Sequence, residues 1–433
     1  MPFSTLRGFR DYPPPEAGAR SELVRRMRSV ARRAGFTELE TPSVESVDLF
    51  RVKSGEEITQ QLWTFTDKGG RPVALVAETT PSLARVFVDR AKSEPLPVKW
   101  FTVSKLWRYE EPQAGRTREF QQFNLDILGA PGVEAEVELL ATAAAILDDG
   151  GARGLYGFRL NDRRLAESRG RALGLSDLGR YFHLLDRYRK LSPSEVDRGL
   201  AELSLSTQAD GRLRAQLEEG SKGVRASEAS TLWTRLEGED LPGAGPTAVR
   251  DLRKLFALAD KMGIADRLIY DPTVVRGIAY YTSTVFEAYD LSGDLRSLFG
   301  GGRYDHLTEL FGGPATPACG LAIGDQTLEL LLKVNDRWPA GEPGLDTYVV
   351  AVSAEDVPDA AAWVQRLRAA GVSADWDLLG RSLSRQLKEA ARRKARRALI
   401  LGPEERSRGT VVERDLASGT QHEIRPDEVL PPA

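Results

Sequence analysis

Between residues 107 and 129 the chain reads WRYEEPQAGRTREFQQFNLDILG, and its polar residues are spaced for chemistry. Arg108 and Glu110 stand two apart, as do Gln122, Asn124 and Asp126, so each set falls on one face of an extended strand. Between the two sets Pro112 and Gly115 break the ladder and turn the chain, and the loop at 111–117 carries Arg116. Two short strands joined by a charged loop therefore present guanidinium, carboxylate and amide groups together, with Phe120, Phe123, Leu125 and Ile127 interleaved. A solvated strand face is the usual source of such polarity. Against that, mixed signs and shape-specific amides under an arginine-bearing loop are what a phosphate and a small polar ligand require.

Other chemistries are scarce. The single cysteine, Cys319, excludes an internal disulfide and a thiolate zinc site, and its run PACGLAIG reads as a small buried hydrophobe. His183, His306 and His422 are scattered without metal-ligand spacing, so no protein-held metal is expected. There is neither a Walker-type phosphate loop nor a dinucleotide-binding glycine fingerprint. The chemistry is left to Arg, Glu, Asp and Gln, with a substrate-borne phosphate and Mg²⁺.

These residues need a scaffold, and 433 residues suggest two or three domains. Hydrophobic residues at 41%, charged residues at 28% and a net charge of -3 describe an ordinary globular chain, and neither demand nor forbid a nucleic-acid partner. No apolar run approaches a membrane span and the N-terminal stretch lacks a secretory core, so a cytoplasmic location is expected.

A helix is expected over 17–34, ended by Gly35, then a strand at 36–40 stopped by Pro42. A hairpin at 63–67 and 73–78 surrounds Lys68-Gly69-Gly70-Arg71, and a helix starts at Pro81 with Thr80 as its cap. With a further helix at 134–148, this is α+β on an antiparallel sheet. Residues 161–264 read as an inserted helical subdomain, whose Arg187, Arg189, Lys190 and Arg198 are expected on a solvated face. Strand signals return at 274–288, followed by Gly300-Gly301-Gly302 and a strand–helix unit at 318–333. Beyond a linker at 337–346 strands and helices alternate, marking a small α/β domain over 347–433. Its second helix places Arg381, Arg385, Lys388 and Arg392 at three- and four-residue steps; a solvated face is the usual reason, and a phosphate backbone is the competing one.

Here the strings resemble a known family. Residues 107–129 resemble motif 2 of class II aminoacyl-tRNA synthetases, in the form found in histidyl-tRNA synthetases. RGIAYYTSTVFE at 276–287 and FGGGRYD at 299–305 are similar to two further segments of that family. RGFRDYPPPE, ETPSVES, SGEEITQQLWTFTDKGGR, AETTPSLAR and GRSLSRQLKEAARRKARRALILG extend the likeness, in order, over almost the whole chain. The resemblance implies a catalytic domain over 1–336 on the class II antiparallel sheet, with the insertion at about 161–264, and an anticodon-binding domain over 347–433. It implies a homodimeric histidine–tRNA ligase, with Pro42 near the interface. ATP and Mg²⁺ serve the activation step, and tRNA, of the histidine-accepting kind, is the macromolecular partner. By the same resemblance Arg108 and Arg276 are catalytic, gripping the α-phosphate. Arg108, Glu110, Arg116 and Arg118 hold ATP, and Glu78, Thr80, Gln122, Asp126, Tyr280 and Tyr281 hold histidine. Gln113, Arg381, Arg385 and Lys388 meet tRNA.

The chain departs from the family pattern at several positions. Thr327 stands where motif 3 carries an arginine, and Ala279 replaces an aspartate. Ser283 replaces a glycine, Val76-Ala77-Glu78 stands for a common Arg-Pro-Glu, and Glu111 for a common arginine in the motif 2 loop. One lost charge-assisted contact is worth roughly 1.5–3 kcal/mol, about ten- to a hundredfold in rate. Arg116, Arg118 and Arg303 are the cations expected to compensate. Two other readings stay open at this point: a related protein with reduced catalysis that binds histidine or tRNA as a regulator, and an amino-acid-activating enzyme with altered specificity.

Overall fold

The computed structural model describes residues 3–113, 115–277, 280–293, 295, 297–341 and 344–429, with backbone only at 53–59 and 229. The chain divides into two compact units, Met1–Pro13 with Ala19–Pro339, and Ala340–Ala433 with Pro14–Gly18. The division at Pro339 falls inside the expected linker.

The first unit is built on a nine-stranded sheet. Its strands lie in the order Thr37–Glu38, Val98–Trp107, Glu119–Leu128, Ala318–Gly324, Phe299–Arg303, Thr284–Asp290, Tyr156–Asp162, Leu268–Tyr270 and Val224–Arg225. The pairing is antiparallel except where Thr37–Glu38 meets Val98–Trp107 and Tyr156–Asp162 meets Leu268–Tyr270. Period-two alternation divides the central strand Glu119–Leu128 cleanly. Phe123, Leu125 and Ile127 turn into the main core, with Phe101 stacked on Phe123 at 5.3 Å, while Phe120, Gln122, Asn124 and Asp126 face the other way. Helices Glu134–Leu147 and Gly245–Lys261 supply Leu139, Leu140, Leu252 and Leu255 to that core. A smaller apolar cluster on the opposite face joins Leu83, Phe87, Val285, Tyr281 and Tyr304.

Several expectations shift in register. The hairpin at 64–75 pairs not with the main sheet but with Val44–Ser46, in a three-stranded sheet of its own. Thr79, not Thr80, occupies the N-cap position of helix Thr80–Arg90, whose second residue is Pro81. Among the described residues of 274–283 none is in a strand; the ladder begins at Thr284. The stretch 161–264 also divides. Helices Arg163–Ala172, Gly179–Arg187, Pro193–Glu202 and Thr207–Lys222 gather around Tyr181, Leu184, Leu213 and Leu217, a core of their own. By contrast Ala229–Glu237 and Gly245–Lys261 pack into the main core through Leu232, Leu236 and Leu252.

In the second unit five strands lie in the order Ala374–Trp376, Thr347–Ala351, Arg397–Leu401, Val411–Asp415 and Gln421–Ile424. The first three are parallel and the last two antiparallel. Val349 and Leu399 meet Trp363 and Leu367 of helix Val357–Ala369, whereas Tyr348 and Val350 meet Ala390 of helix Leu383–Arg392. Each face of the sheet is thus covered by one helix. A short helix, Pro403–Arg408, and the edge strand Gln421–Ile424 carry no clear apolar period and escape the sequence pattern. Among the described residues no helix is long and apolar enough to cross a membrane.

Leu125 is fully buried at the centre of the larger sheet. Leu125→Ala should lower unfolding stability by about 2–5 kcal/mol, read as a reduced urea midpoint at unchanged m.

Candidate active site

A cavity of about 710 Å³ opens on the polar face of the central strands. Register places its floor. Asp126 pairs with Gly320 and Gly320 with Gly302, while Asn124 pairs with Ala322, Ala322 with Gly300, Gly300 with Glu287 and Glu287 with Arg159. On this face the two middle strands therefore contribute only Ala318, Gly320, Ala322, Gly324, Gly300 and Gly302. The result is a trench floored by nothing larger than a methyl group, walled by residues from the flanking strands and loops.

The glycines leave room for groups that lie across them. A Cβ at Gly300 would overlap the Arg276 guanidinium. One at Gly302 would come within 2.9 Å of the Tyr281 ring, and one at Gly320 would overlap both the Asp126 carboxylate and the Tyr304 hydroxyl. Tyr304 donates a hydrogen bond to Asp126 Oδ1, and Asp126 is 2% exposed. The rings of Tyr280, Tyr281 and Tyr304 pack together, Tyr280 and Tyr281 at 4.9 Å and Tyr280 edge-on to Tyr304 at 5.8 Å. Burial raises the pKa of all three phenols, well above the usual value for Tyr280 and Tyr304, so each keeps its proton to donate.

The two guanidinium groups arrive by different routes. Arg108 follows strand Val98–Trp107; its backbone N–H donates to Arg118 O at 3.0 Å, and its Nε donates to Ala77 O at 3.0 Å, beside Glu78. It lies over the Phe120 ring, 5.3 Å from the centroid. Arg276 sits in the irregular stretch before strand Thr284–Asp290, at φ +55, a left-handed conformation that costs a non-glycine residue about 1–3 kcal/mol. Arg163 offsets that strain by donating to Val275 O at 3.0 Å and to Arg276 O at 2.9 Å. Burial opposes the charge on Arg276, but the Glu287 carboxylate, to which it donates, outweighs this and raises its pKa. Glu110 stands between two cations, 4.0 Å from Arg108 and 3.1 Å from Arg116.

Arg108, Arg276, Glu78, Thr80, Gln122, Asp126, Tyr280, Tyr281, Glu110 and Arg116 thus all line one cavity. Arg118 does not. Its backbone pairs with Gly8, its Nε donates to Glu110 O at 3.1 Å and its guanidinium lies 4.3 Å over Tyr109, so it braces the loop from outside. Arg303 is drawn to Glu136 behind the sheet and cannot compensate for a missing cation either. Gln113 pairs through its backbone with Arg116 in the loop tip, away from the cavity lining. Thr327 lies at the cavity edge, its hydroxyl donating to Leu298 O at 3.0 Å. Ala279 falls outside the described residues.

Arg187, Arg189, Lys190 and Arg198 are all exposed, as expected of a solvated face, but Arg189 and Lys190 have a second setting as well. Both line the cavity beside Arg159, and the fully buried Asp271 accepts from Arg159 at 3.0 Å and from Arg189 at 2.7 Å. Their helical period could not reveal this, because the contact is made by a segment more than eighty residues away. Tyr304, Glu287 and Arg159 are further cavity residues not singled out from the sequence, although Tyr304 sits in the FGGGRYD string.

In the second unit the basic helix is less basic than it reads. Arg381 lies 3.5 Å from Asp377 and 3.4 Å from Glu389, Arg392 pairs with Glu389, and Arg393 pairs with Asp375. Arg385 and Lys388 are exposed, and make no ion pair among the described residues.

A family model described as histidyl-tRNA synthetase matches residues 8–328, and one described as an anticodon binding domain matches residues 346–431. The chain belongs to the histidyl-tRNA synthetase family. Over 433 residues it is 36% identical to a histidine–tRNA ligase of Thermoplasma volcanium, covering 100% of this chain and 98% of that protein. It is 38% identical over 438 residues to one of Opitutus terrae, covering 99% and 97%. The crystal structure of a histidyl-tRNA synthetase from Nostoc shares the fold, with a TM-score of 0.86 at 24% identity over 98% of this chain and 97% of that one. The glycine trench gives the Arg276 guanidinium the space to lie over Gly300. Gly300→Ala should therefore leave the thermal transition within a few degrees while lowering amino-acid activation at least tenfold, as the Arg276 side chain is displaced.

Proposed function

We propose that the chain ligates histidine to the 3′ end of tRNA(His) in two steps within this cavity. The histidine carboxylate attacks the α-phosphorus of ATP, diphosphate leaves and histidyl-adenylate forms. A hydroxyl of the terminal tRNA ribose then attacks the acyl carbon and AMP leaves. No enzyme nucleophile is required, in keeping with one buried cysteine and three scattered histidines. The work is positioning and cancelling negative charge.

The observation that carries this reading is the convergence of Arg108 and Arg276, from separate segments, on one cavity with Asp126 and Tyr281. Two guanidinium forks suit an α-phosphate whose charge grows as the carboxylate attacks. Glu78 receives the α-ammonium beside Thr80, Gln122 fixes the ligand's backbone, and Glu110 and Arg116 meet the rest of ATP. An imidazole needs an acceptor and a donor for its two nitrogens. The Asp126 carboxylate and the phenols of Tyr280 and Tyr281 supply both, and an apolar analogue would leave them unpaired.

Among the described residues no cluster of three or more metal-ligating side chains exists. Mg²⁺ fits this reading as the nucleotide's own counter-ion, held by phosphate oxygens, and no step is routed through it. Residues 1–336 form the catalytic domain and 347–433 the tRNA-reading domain, with Arg381, Arg385 and Lys388 on its basic helix. The working form is a cytoplasmic homodimer. A regulator without catalysis would have no use for the paired guanidinium groups of the trench, which favours the ligase.

Purified protein should catalyse histidine-dependent ATP–diphosphate exchange with Mg²⁺. Arg108→Lys and Arg276→Lys should each slow it about ten- to a hundredfold; activity unaffected by both changes would refute the reading. The double variant Arg385→Ala/Lys388→Ala should keep exchange intact, weaken tRNA binding and reduce its salt slope by about 2.

A further inference from the structure

Arg303 belongs to no substrate contact, yet its side chain is only 5% exposed and every guanidinium nitrogen is bonded. Nε and Nη2 each donate at 2.6 Å to the two oxygens of Glu136, on the helix behind the sheet. Nη1 donates to Ala130 O at 2.9 Å and to Asp305 Oδ1 at 3.1 Å, and Nη2 to Gly132 O at 2.9 Å. A buried pair of this kind adds little stability over an apolar replacement, so its geometry calls for another role.

The geometry continues to the ligand side. Arg303 O accepts from the backbone N–H of Thr282 at 2.8 Å, and Asp305 Oδ2 accepts from the Thr282 hydroxyl at 3.0 Å. Thr282 follows Tyr281, in a segment with no ladder of its own. Tyr304 follows Arg303 directly and donates to Asp126. We propose that Arg303 is a positioning residue that sets histidine affinity: with Glu136 and Asp305 it holds Tyr281, through Thr282, and Tyr304 at fixed places around Asp126. This rests on the reading of Asp126 and Tyr281 as the imidazole wall. The phosphate end of the cavity, built by Arg108 and Arg276, does not hang on this clamp.

The test is a split of Michaelis constants in diphosphate exchange. Thr282→Val removes the hydroxyl link at constant shape and strands no charge. It should raise KM for histidine about three- to tenfold, with KM for ATP within about twofold, and Thr282→Ser should restore the wild-type value. Arg303→Lys keeps a charge opposite Glu136 but cannot reach both carbonyls and Asp305, and should shift KM for histidine further in the same direction. An unchanged KM for histidine in Thr282→Val, or equal rises for histidine and ATP, would overturn the clamp. A wild type that activates a different amino acid would overturn the imidazole reading separately, the clamp then being judged on that amino acid's KM.

Discussion

The first unit depends on a steric constraint: two central strands carry nothing larger than a methyl group on the face that lines the cavity. Gly300, Gly302 and Gly320 are not there for turns, since they lie in regular ladder positions. Glycine in a strand interior costs backbone entropy and packing. The return is depth. Arg276 can lie flat across Gly300, and Asp126 and Tyr304 can meet over Gly320, only because no Cβ stands there. The stability lost in the trench is offset on the opposite face, where Phe101, Phe123, Leu125 and Ile127 pack against helix Glu134–Leu147.

Electrostatics follow from that arrangement. Each cavity arginine is held by an acid or carbonyl that orients it without shielding it from the cavity: Arg108 by Ala77 O and Glu110, Arg276 by Glu287, Arg159 by Asp271. Such preorganisation matters because an incoming phosphate then meets donors already in place, and little reorganisation remains for the reacting step. The departure at Thr327 fits here. Its γ-methyl lies 3.3 Å from where a Cβ on Gly115 would stand, so the motif 2 loop packs directly over this position. The same loop brings Arg116 to the cavity that Thr327 lines.

Much of this was legible in the sequence, for a physical reason. Period two in Glu119–Leu128 is a local property, so Gln122, Asn124 and Asp126 could be placed on one face from spacing alone. The residues of 274–283 have no such period, and only the likeness of RGIAYY to a family string located Arg276 and Tyr281. Arg118 does not line the cavity because its side chain is held by Glu110 O and the Tyr109 ring, contacts that spacing along the chain does not reveal. The basic helix looked more cationic than it is because Asp375 and Asp377, from an adjoining segment, neutralise part of it. Charge, unlike apolar periodicity, is balanced through space.

The most direct measurement is a crystal structure with histidine and a non-hydrolysable ATP analogue bound. The α-phosphate is expected between the Arg108 and Arg276 guanidinium groups above Gly300, with the imidazole against Asp126 and the tyrosines. A phosphate seated instead among Arg159, Arg189 and Lys190, or an imidazole remote from Asp126, would contradict this reading.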